Sequence, residues 1–182
     1  MELAGNWAGG LTLDWHRNYR CGDWRRAACG NPRTALGDLV YELKFGGSSA
    51  AASTLGQLLA EAIGSQAIPR CLLIPVPGAP QRGWQPSAML ARVISRHLAW
   101  PIQDDVLGKR SCEASTRNMQ SIAAKRFHLR QTLALLKPPN PGPLGIMLID
   151  DVVSSGATFE VAIELLTPLR TPVFVAAATR GD

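Results

Sequence analysis

Apolar positions recur along this chain with the period of a helix in four segments. The first lies between Thr34, a residue type that caps helices, and Gly46-Gly47, a pair that ends them. The others span residues 52–63, 87–98 and 157–169, each with apolar residues at three- to four-residue spacing. The pattern therefore predicts four amphipathic helices, each with one buried face.

Short continuous apolar runs lie between these helices. Residues 71–77, 146–149 and 172–178 are too short for helices, and their apolar character predicts strands that are buried on both faces. Weaker strand patterns occur at residues 100–103 and 131–136. Strands that alternate with helices predict a parallel sheet with right-handed crossovers. We therefore expect an α/β fold, a three-layer parallel sheet flanked by helices.

Three regions lack a clear period. Residues 1–33 hold three tryptophans, several glycines and many arginines, and we interpret them as an irregular N-terminal extension. Residues 108–126 are polar and basic, which predicts a long mobile loop. Residues 137–145 contain four prolines and two glycines and predict a connector. The predicted domain division is thus an extension over 1–33 and a single α/β domain over 34–182.

Composition limits the class of protein. The chain has 182 residues, 46% apolar and 18% charged, which fits one globular domain. No apolar run approaches the roughly 18 residues of a membrane helix, and the first residues do not resemble a secretory signal, so we expect a cytoplasmic protein without membrane insertion. The formal net charge of +5 favours phosphorylated ligands or nucleic acid, although a merely solvated surface also explains it. The four cysteines lack the spacing of a metal site.

The segment 146–158 carries the chemistry. Four apolar residues predict a buried strand, Asp150 and Asp151 follow it, and a turn of small and hydroxyl residues then opens a helix. Open α/β sheets bind ligands at the carboxyl ends of their strands. Small residues let a backbone approach a phosphate, and free N–H groups at a helix start donate to its oxygens. Carboxylates accept hydrogen bonds from sugar hydroxyls, so the segment predicts a sugar-phosphate site.

Other interpretations of this segment stay open. It can be an ordinary strand, turn and helix with an acidic edge. Response regulators also carry paired acids, but theirs follow the first strand, whereas this pair comes late in the chain. A nucleoside triphosphatase is disfavoured because the chain has no glycine-rich phosphate loop with a lysine.

The same segment resembles the phosphoribosyl pyrophosphate signature of type I phosphoribosyltransferases. The resemblance implies that fold, and it implies that Asp150 and Asp151 bind the ribose hydroxyls and act in catalysis. It also implies that the following segment holds the ligand and its 5-phosphate. The residues of that segment are Val152, Val153, Ser154, Ser155, Gly156, Ala157 and Thr158.

Three further segments are similar to the ComF family, a competence-associated branch of these proteins. They are residues 39–47, residues 74–77 with Arg82-Gly83-Trp84, and residues 178–180. The resemblance implies a pyrophosphate-binding turn and two nearby cations. These residues are Val76, Pro77, Gly78, Ala79, Arg82 and Lys44. Two prolines can also simply end a strand, and Lys44 can complete a helix dipole.

This chain departs from the ComF pattern in three places. In the long loop, Arg117 stands where the family usually has Gln, and Arg126-Phe127-His128 stands for its Arg-x-Asn. Gln85-Pro86 stands where the family usually has Asn-Gln, and the four-cysteine module that often opens the family is missing. The sugar-phosphate half of the site is therefore better supported than the half that would choose an acceptor.

The resemblance implies transfer of a phosphoribosyl group with release of pyrophosphate. It also implies Mg²⁺ carried by the ligand, without a metal site built by the protein. Two alternatives stay open. One is a protein that binds phosphoribosyl pyrophosphate with weak or lost activity; the other is a basic accessory protein for DNA uptake that binds single-stranded DNA or competence proteins. The sequence does not name the acceptor or the oligomeric state.

Overall fold

The computed structural model describes residues 1–17, 32–79, 83–110 and 121–181. The strands are β1 (Gly9–Trp15), β2 (Cys71–Pro75), β3 (Leu107–Lys109), β4 (Leu133–Leu135), β5 (Gly145–Val153) and β6 (Val173–Arg180). The main sheet has four parallel strands in the order β1-β6-β5-β2. A separate antiparallel pair joins β3 to β4. The helices are α1 (Ala35–Gly46), α2 (Ser49–Gly64), α3 (Pro86–Leu98), α4 (Ile122–Thr132) and α5 (Ala157–Leu166), the last followed by a 3-10 turn (Thr167–Leu169).

Helices cover both faces of the main sheet. On one face, α1, α2 and α3 pack on side chains such as Met147 and Ile149 of β5. On the other face, α5 and the β3–β4 pair pack on Ile146 and Leu148 of the same strand. Successive side chains of a strand point to opposite faces, so the continuous apolar run of β5 fills both cores. The predicted three-layer α/β parallel sheet is confirmed. No helix in the described ranges is both long and apolar enough to cross a bilayer.

Helix α1 has the caps that the sequence predicts. The Thr34 hydroxyl accepts a hydrogen bond from the Gly37 amide at 3.0 Å. At the other end Gly47 adopts a left-handed conformation with φ of 62°, and its amide donates to carbonyls of the last turn. The Trp84 indole also donates to the Leu43 carbonyl at 3.0 Å. These contacts fix the position of the last turn of α1.

The N-terminal segment, which the sequence analysis expects to be irregular, contains a strand of the main sheet. Residues 9–15 form β1, which pairs in parallel with β6. Leu3 lies along the outer edge of β1, where its amide donates to the Gly10 carbonyl at 2.8 Å. The sequence does not predict this strand, because it begins with two glycines and Leu11 is its one large buried apolar residue, so its apolar pattern is weak. Its partner β6 lies more than 160 residues away in sequence.

The predicted loop over 108–126 is wrong at both ends. Gly108 and Lys109 belong to β3, and α4 begins at Ile122. Residues 111–120 lie outside the described residues. Two bidentate ion pairs join α4 to α5, Arg126 to Glu160 and Arg130 to Glu164. The two arginines of α4 therefore have structural partners, which the polar sequence pattern does not reveal.

Other differences are small. The weak strand predicted over 100–103 is a single bridge between Ile102 and Leu73. Cys71 is buried in the core, and burial raises the pKa of its thiol to about 12, which fits an inert apolar role. The other cysteines lie outside the described residues.

Candidate functional site

Strand β5 carries both acids at its carboxyl end. The prediction ends this strand at Ile149, but the structure continues it to Val153 because β6 pairs with it as far as Arg180. On the other side, β2 stops where Pro75 pairs with Ile149. Asp150 and Asp151 therefore follow the point at which one neighbouring strand ends. Such a strand end leaves room for a ligand at the edge of an α/β sheet.

Asp151 is held as an ionised carboxylate. Its Oδ2 lies 2.8 Å from Lys44 Nζ, and its Oδ1 accepts a hydrogen bond from the Val152 amide at 3.0 Å. Burial, the largest single influence, favours the neutral acid, but the Lys44 charge and the hydrogen bonds to the carboxylate together outweigh it, and the pKa of Asp151 is lower than usual. The structure thus places Lys44, which the ComF resemblance assigns to a phosphate, on Asp151.

Asp150 has the opposite behaviour. It is half-buried, and its Oδ1 accepts a hydrogen bond from the Asp151 amide at 2.8 Å. Burial and then the charge of the neighbouring Asp151 raise the pKa of Asp150 well above its usual value. One acid is therefore firmly ionised while its neighbour retains a proton more readily, as paired carboxyl groups do when they cannot both ionise cheaply.

Two residues near the acids are missed by the sequence analysis. Lys109 on β3 is half-buried and forms no ion pair within the described ranges. Burial lowers the pKa of Lys109, and the charge of Asp150 opposes that shift. His16 Nδ1 lies 3.1 Å from Thr179 Oγ1; burial and then the nearby cations, Arg17 first, lower the pKa of the imidazole. No local pattern marks either residue, since each reaches the site only through sheet and hairpin pairing.

The turn after β5 has the geometry of an anion cradle. Gly156 has a φ of 74° and precedes the first residue of α5, and no side chain caps this helix. The amides of residues 155–158 donate to no acceptor in the part of the chain that the structure describes. A helix start with unpaired N–H groups attracts anions. Val152 and Val153, which the resemblance includes in the ligand-binding segment, are the last two residues of β5; Val152 is half-buried and Val153 is buried.

Trp7 borders this turn. A Cβ built on Gly156 would lie 3.3 Å from the Trp7 ring, and the same ring makes an edge contact with Phe159, their centroids 6.0 Å apart. The indole donates to the Leu3 carbonyl at 2.8 Å. The segment interpreted as an extension thus forms one side of the turn, and Gly156 is the residue type that both the φ and the close ring favour.

The other predicted phosphate-binding turn has few free donors. The Val76 amide donates to the Ile149 carbonyl at 2.9 Å, Pro77 has no N–H, and the Gly78 amide donates to Gln85 Oε1 at 2.9 Å. Ala79 remains as an amide without an acceptor in the described ranges. Arg82 lies outside the described residues. The structure therefore does not present residues 76–79 as an open amide cradle.

The residues present fit a metal ion that arrives with its ligand. Within the described ranges no group of three or more His, Cys, Asp or Glu side chains is placed to hold a metal ion. Asp150 and Asp151 offer carboxylate oxygens, which Mg²⁺ prefers, but two neighbouring acids do not form a complete cage. A diphosphate and ribose hydroxyls would have to supply most of the remaining oxygens.

Comparison with known proteins finds solved phosphoribosyltransferases. Adenine phosphoribosyltransferase from Leishmania tarentolae is 11% identical over 82% of this chain and 88% of that chain, with a TM-score of 0.47. The enzyme of the same description from Leishmania donovani is 14% identical over 74% of this chain and 55% of that one, with a TM-score of 0.43. Trypanosoma cruzi hypoxanthine phosphoribosyl transferase is 12% identical over 71% and 62%, with a TM-score of 0.42.

This chain thus spans less than two thirds of the length of the last two proteins. No protein-family model matches the chain, and no curated protein matches it.

Proposed function

We propose that this chain is a ComF-like phosphoribosyltransferase-fold protein that binds phosphoribosyl pyrophosphate or a related sugar phosphate. One observation carries the proposal. Two carboxyl groups lie at the end of β5, and the turn that follows them leads to a helix start whose amides have no acceptor in the described ranges. An acidic pair next to an anion cradle is complementary to a pentose phosphate, which has hydroxyl donors beside a phosphate.

The binding mode follows from the charges. The ionised Asp151, fixed by Lys44, accepts hydrogen bonds from ribose hydroxyls. The amides of 155–158 and the hydroxyls of Ser154, Ser155 and Thr158 donate to the 5-phosphate. Asp150 retains a proton more readily than an ordinary aspartate, so the empty site avoids two full charges in one place.

The proposed reaction is displacement of pyrophosphate at the anomeric carbon of the ribose. An acceptor nitrogen forms a bond to that carbon while the bond to the pyrophosphate oxygen breaks, and the electron pair leaves with pyrophosphate. The acceptor loses its proton to solvent or to a nearby base. Asp150 and Asp151 would orient the ribose toward the acceptor, and Lys109 would add positive charge close to the reacting groups. Mg²⁺ bound through the ligand and these carboxylates would neutralise the charge that develops on pyrophosphate.

The test is ligand binding to the full chain. Phosphoribosyl pyrophosphate with Mg²⁺ is expected to raise the melting temperature of the wild-type protein and to give a binding isotherm by calorimetry. The double variant Asp150→Asn, Asp151→Asn is expected to show neither. An equal thermal shift in the double variant would rule out the ribose assignment.

A matched control is Asp105→Asn. Asp105 is exposed and pairs with Lys137 rather than with a residue of the site, so its variant should bind like the wild type. Pyrophosphate release with nucleobase and amine acceptors then separates a transferase from a protein that only binds. The role in DNA uptake that the ComF resemblance implies is tested by salt-dependent binding to single-stranded DNA.

A further inference from the structure

The side chain of Gln85 makes two hydrogen bonds to the backbone of the turn at residues 76–79, which precedes α3. Its side-chain Oε1 accepts a hydrogen bond from the Gly78 amide at 2.9 Å, and its Nε2 donates to the Ala79 carbonyl at 3.3 Å. A Cβ built on Gly78 would lie 2.8 Å from Gln85 Oε1. The glycine is therefore what lets the amide side chain approach the backbone so closely.

The position of Gln85 in its helix makes this contact unusual. Gln85 is the N-cap residue of α3, where a short polar side chain commonly accepts from the helix amides. Here no side chain caps α3, and Pro86 follows directly. The Ser87 hydroxyl, at the second position of the helix, donates to the Val76 carbonyl at 2.5 Å. Two side chains at the start of α3 thus face back toward the turn at 76–79.

The Gln85 side chain takes one of the two amide donors that this turn could offer a diphosphate. Of the four residues 76–79, Val76 donates within the sheet, Pro77 has no amide hydrogen, Gly78 donates to Gln85, and Ala79 alone has an amide without an acceptor in the described ranges. The Gln85 oxygen occupies the position in front of the Gly78 amide that a phosphate oxygen would take. By contrast, the amides of 155–158 have no acceptor in the described ranges. One half of the candidate site is open to an anion and the other is occupied by a side chain.

We propose that Gln85 is a specificity-determining residue that holds the diphosphate half of the site closed. As a result, the site favours a pentose 5-phosphate, and the anomeric diphosphate of phosphoribosyl pyrophosphate gains little additional affinity. The inference rests on the proposed function, because it assumes that the turn at 154–158 binds the 5-phosphate and that the turn at 76–79 lies beside the diphosphate, as the resemblance implies. A diphosphate binds the turn at 76–79 only after Gln85 has released Gly78 and Ala79.

Calorimetric titration of the full chain tests the proposal with three ligands: ribose 5-phosphate, pyrophosphate with Mg²⁺, and phosphoribosyl pyrophosphate with Mg²⁺. For the wild type, the third should bind no more than about threefold tighter than the first. In Gln85→Leu, which removes both hydrogen bonds at similar size, affinity for the two diphosphates should rise about tenfold, while ribose 5-phosphate is unchanged. Diphosphate affinities that stay the same or fall in Gln85→Leu would overturn the proposal.

Two more variants complete the design. Gln85→Asn keeps the amide but is one methylene shorter, so it cannot span both backbone groups. Gln85→Asn should therefore show the same affinity changes as Gln85→Leu, and it tests the proposal if the leucine variant does not fold. Gln57→Leu, the same substitution at an exposed position of α2, should leave all three affinities unchanged.

The two proposals fail in different ways. If the wild type does not bind ribose 5-phosphate, the proposed function is contradicted. If the wild type binds ribose 5-phosphate normally, and its affinity for the diphosphate ligands is high and does not change when Gln85 is replaced, only the role of Gln85 is contradicted.

Discussion

The Nζ of Lys44 lies 2.8 Å from Oδ2 of Asp151 and so joins the last turn of α1 to the end of β5. The side chain of Lys44 is 22% exposed and that of Asp151 is 9% exposed, which shields the pair from water and salt. Removing one partner leaves a poorly solvated charge without its counterpart. This ion pair is therefore expected to matter for stability, unlike a pair on the surface.

Lys44→Met and Asp151→Asn should each lower the free energy of unfolding by about 2 kcal/mol, because each leaves the other polar group unpaired. The double variant should lose less than the sum of the two. A double-mutant cycle measured by urea denaturation checks this coupling. Lys137→Met, which breaks an ion pair of 61% and 57% exposed side chains, should cost less than about 0.5 kcal/mol. Additive losses at Lys44 and Asp151 would contradict the coupling.

Asp150 should make the free protein less stable as the pH rises. Its folded pKa lies above the usual 3.8, so between these two values the folded state binds more protons than the unfolded state. Stability therefore falls as the pH increases through that window. Asp150→Asn removes the effect and should be more stable than the wild type at pH 7, although it binds ligand poorly. Urea denaturation from pH 4 to pH 8 measures the difference, and a variant less stable than the wild type at pH 7 would refute the prediction.

Asp151 should act in the opposite sense. Its folded pKa lies below 3.8, so the stability it contributes is fully present above that pH and is lost as the pH falls through the folded pKa. Lys44→Met should remove most of this acid-sensitive contribution, which denaturation between pH 2 and pH 5 measures. If Lys44→Met loses as much stability between pH 5 and pH 2 as the wild type does, the pKa of Asp151 does not depend on the lysine.

Gly156→Ala should destabilise the protein by about 1–2 kcal/mol and weaken binding of ribose 5-phosphate. The backbone at this position is left-handed, a conformation that an added Cβ disfavours, and that Cβ would lie 3.3 Å from the Trp7 ring. Gly46→Ala is the matched control, because no atom lies within 4 Å of its Cβ position and it sits in α1. That variant should be neutral or slightly stabilising. Thermal melts and calorimetry compare the two, and equal behaviour would count against a strained turn.

Lys109→Gln should weaken ligand binding about tenfold with little loss of stability. Lys109 has no ion pair in the described ranges, and burial disfavours its charge, so the folded protein gains little from the ammonium group. An anionic ligand would gain a charge-assisted hydrogen bond from it. Titration with ribose 5-phosphate and with phosphoribosyl pyrophosphate measures the effect. A large loss of stability with unchanged binding would make Lys109 a structural residue.

Leu11→Ala should cost about 2–4 kcal/mol, because Leu11 is 6% exposed within the core between the sheet and α1 to α3. Phe127→Ala, at a side chain that is 64% exposed, should cost less than about 0.5 kcal/mol. Chemical denaturation of both variants tests whether the N-terminal segment belongs to the domain. A negligible effect at Leu11 would support the predicted division at residue 33, which otherwise stays a prediction.

The sequence alone determined the features that depend on neighbouring residues. The helix between Thr34 and Gly47 is bounded by its own caps, and the apolar run at 146–149 is a buried strand in any parallel sheet. The order of two acids, small hydroxyl residues and a helix start is likewise local, so the turn after the acids could be predicted from sequence. The end of the strand at Val153 could not, because it depends on pairing with β6.

Only the tertiary structure decided which distant groups meet there. Residues 9–15 become a strand because β6 supplies the hydrogen-bonding partner, and Lys109 comes within the influence of the Asp150 charge through the tertiary fold that positions β3. Gln85 closes the turn at Gly78 because the start of α3 packs against it. These contacts are set by sheet order and packing between segments far apart in the chain, and a local pattern of apolar and polar residues holds no information about them.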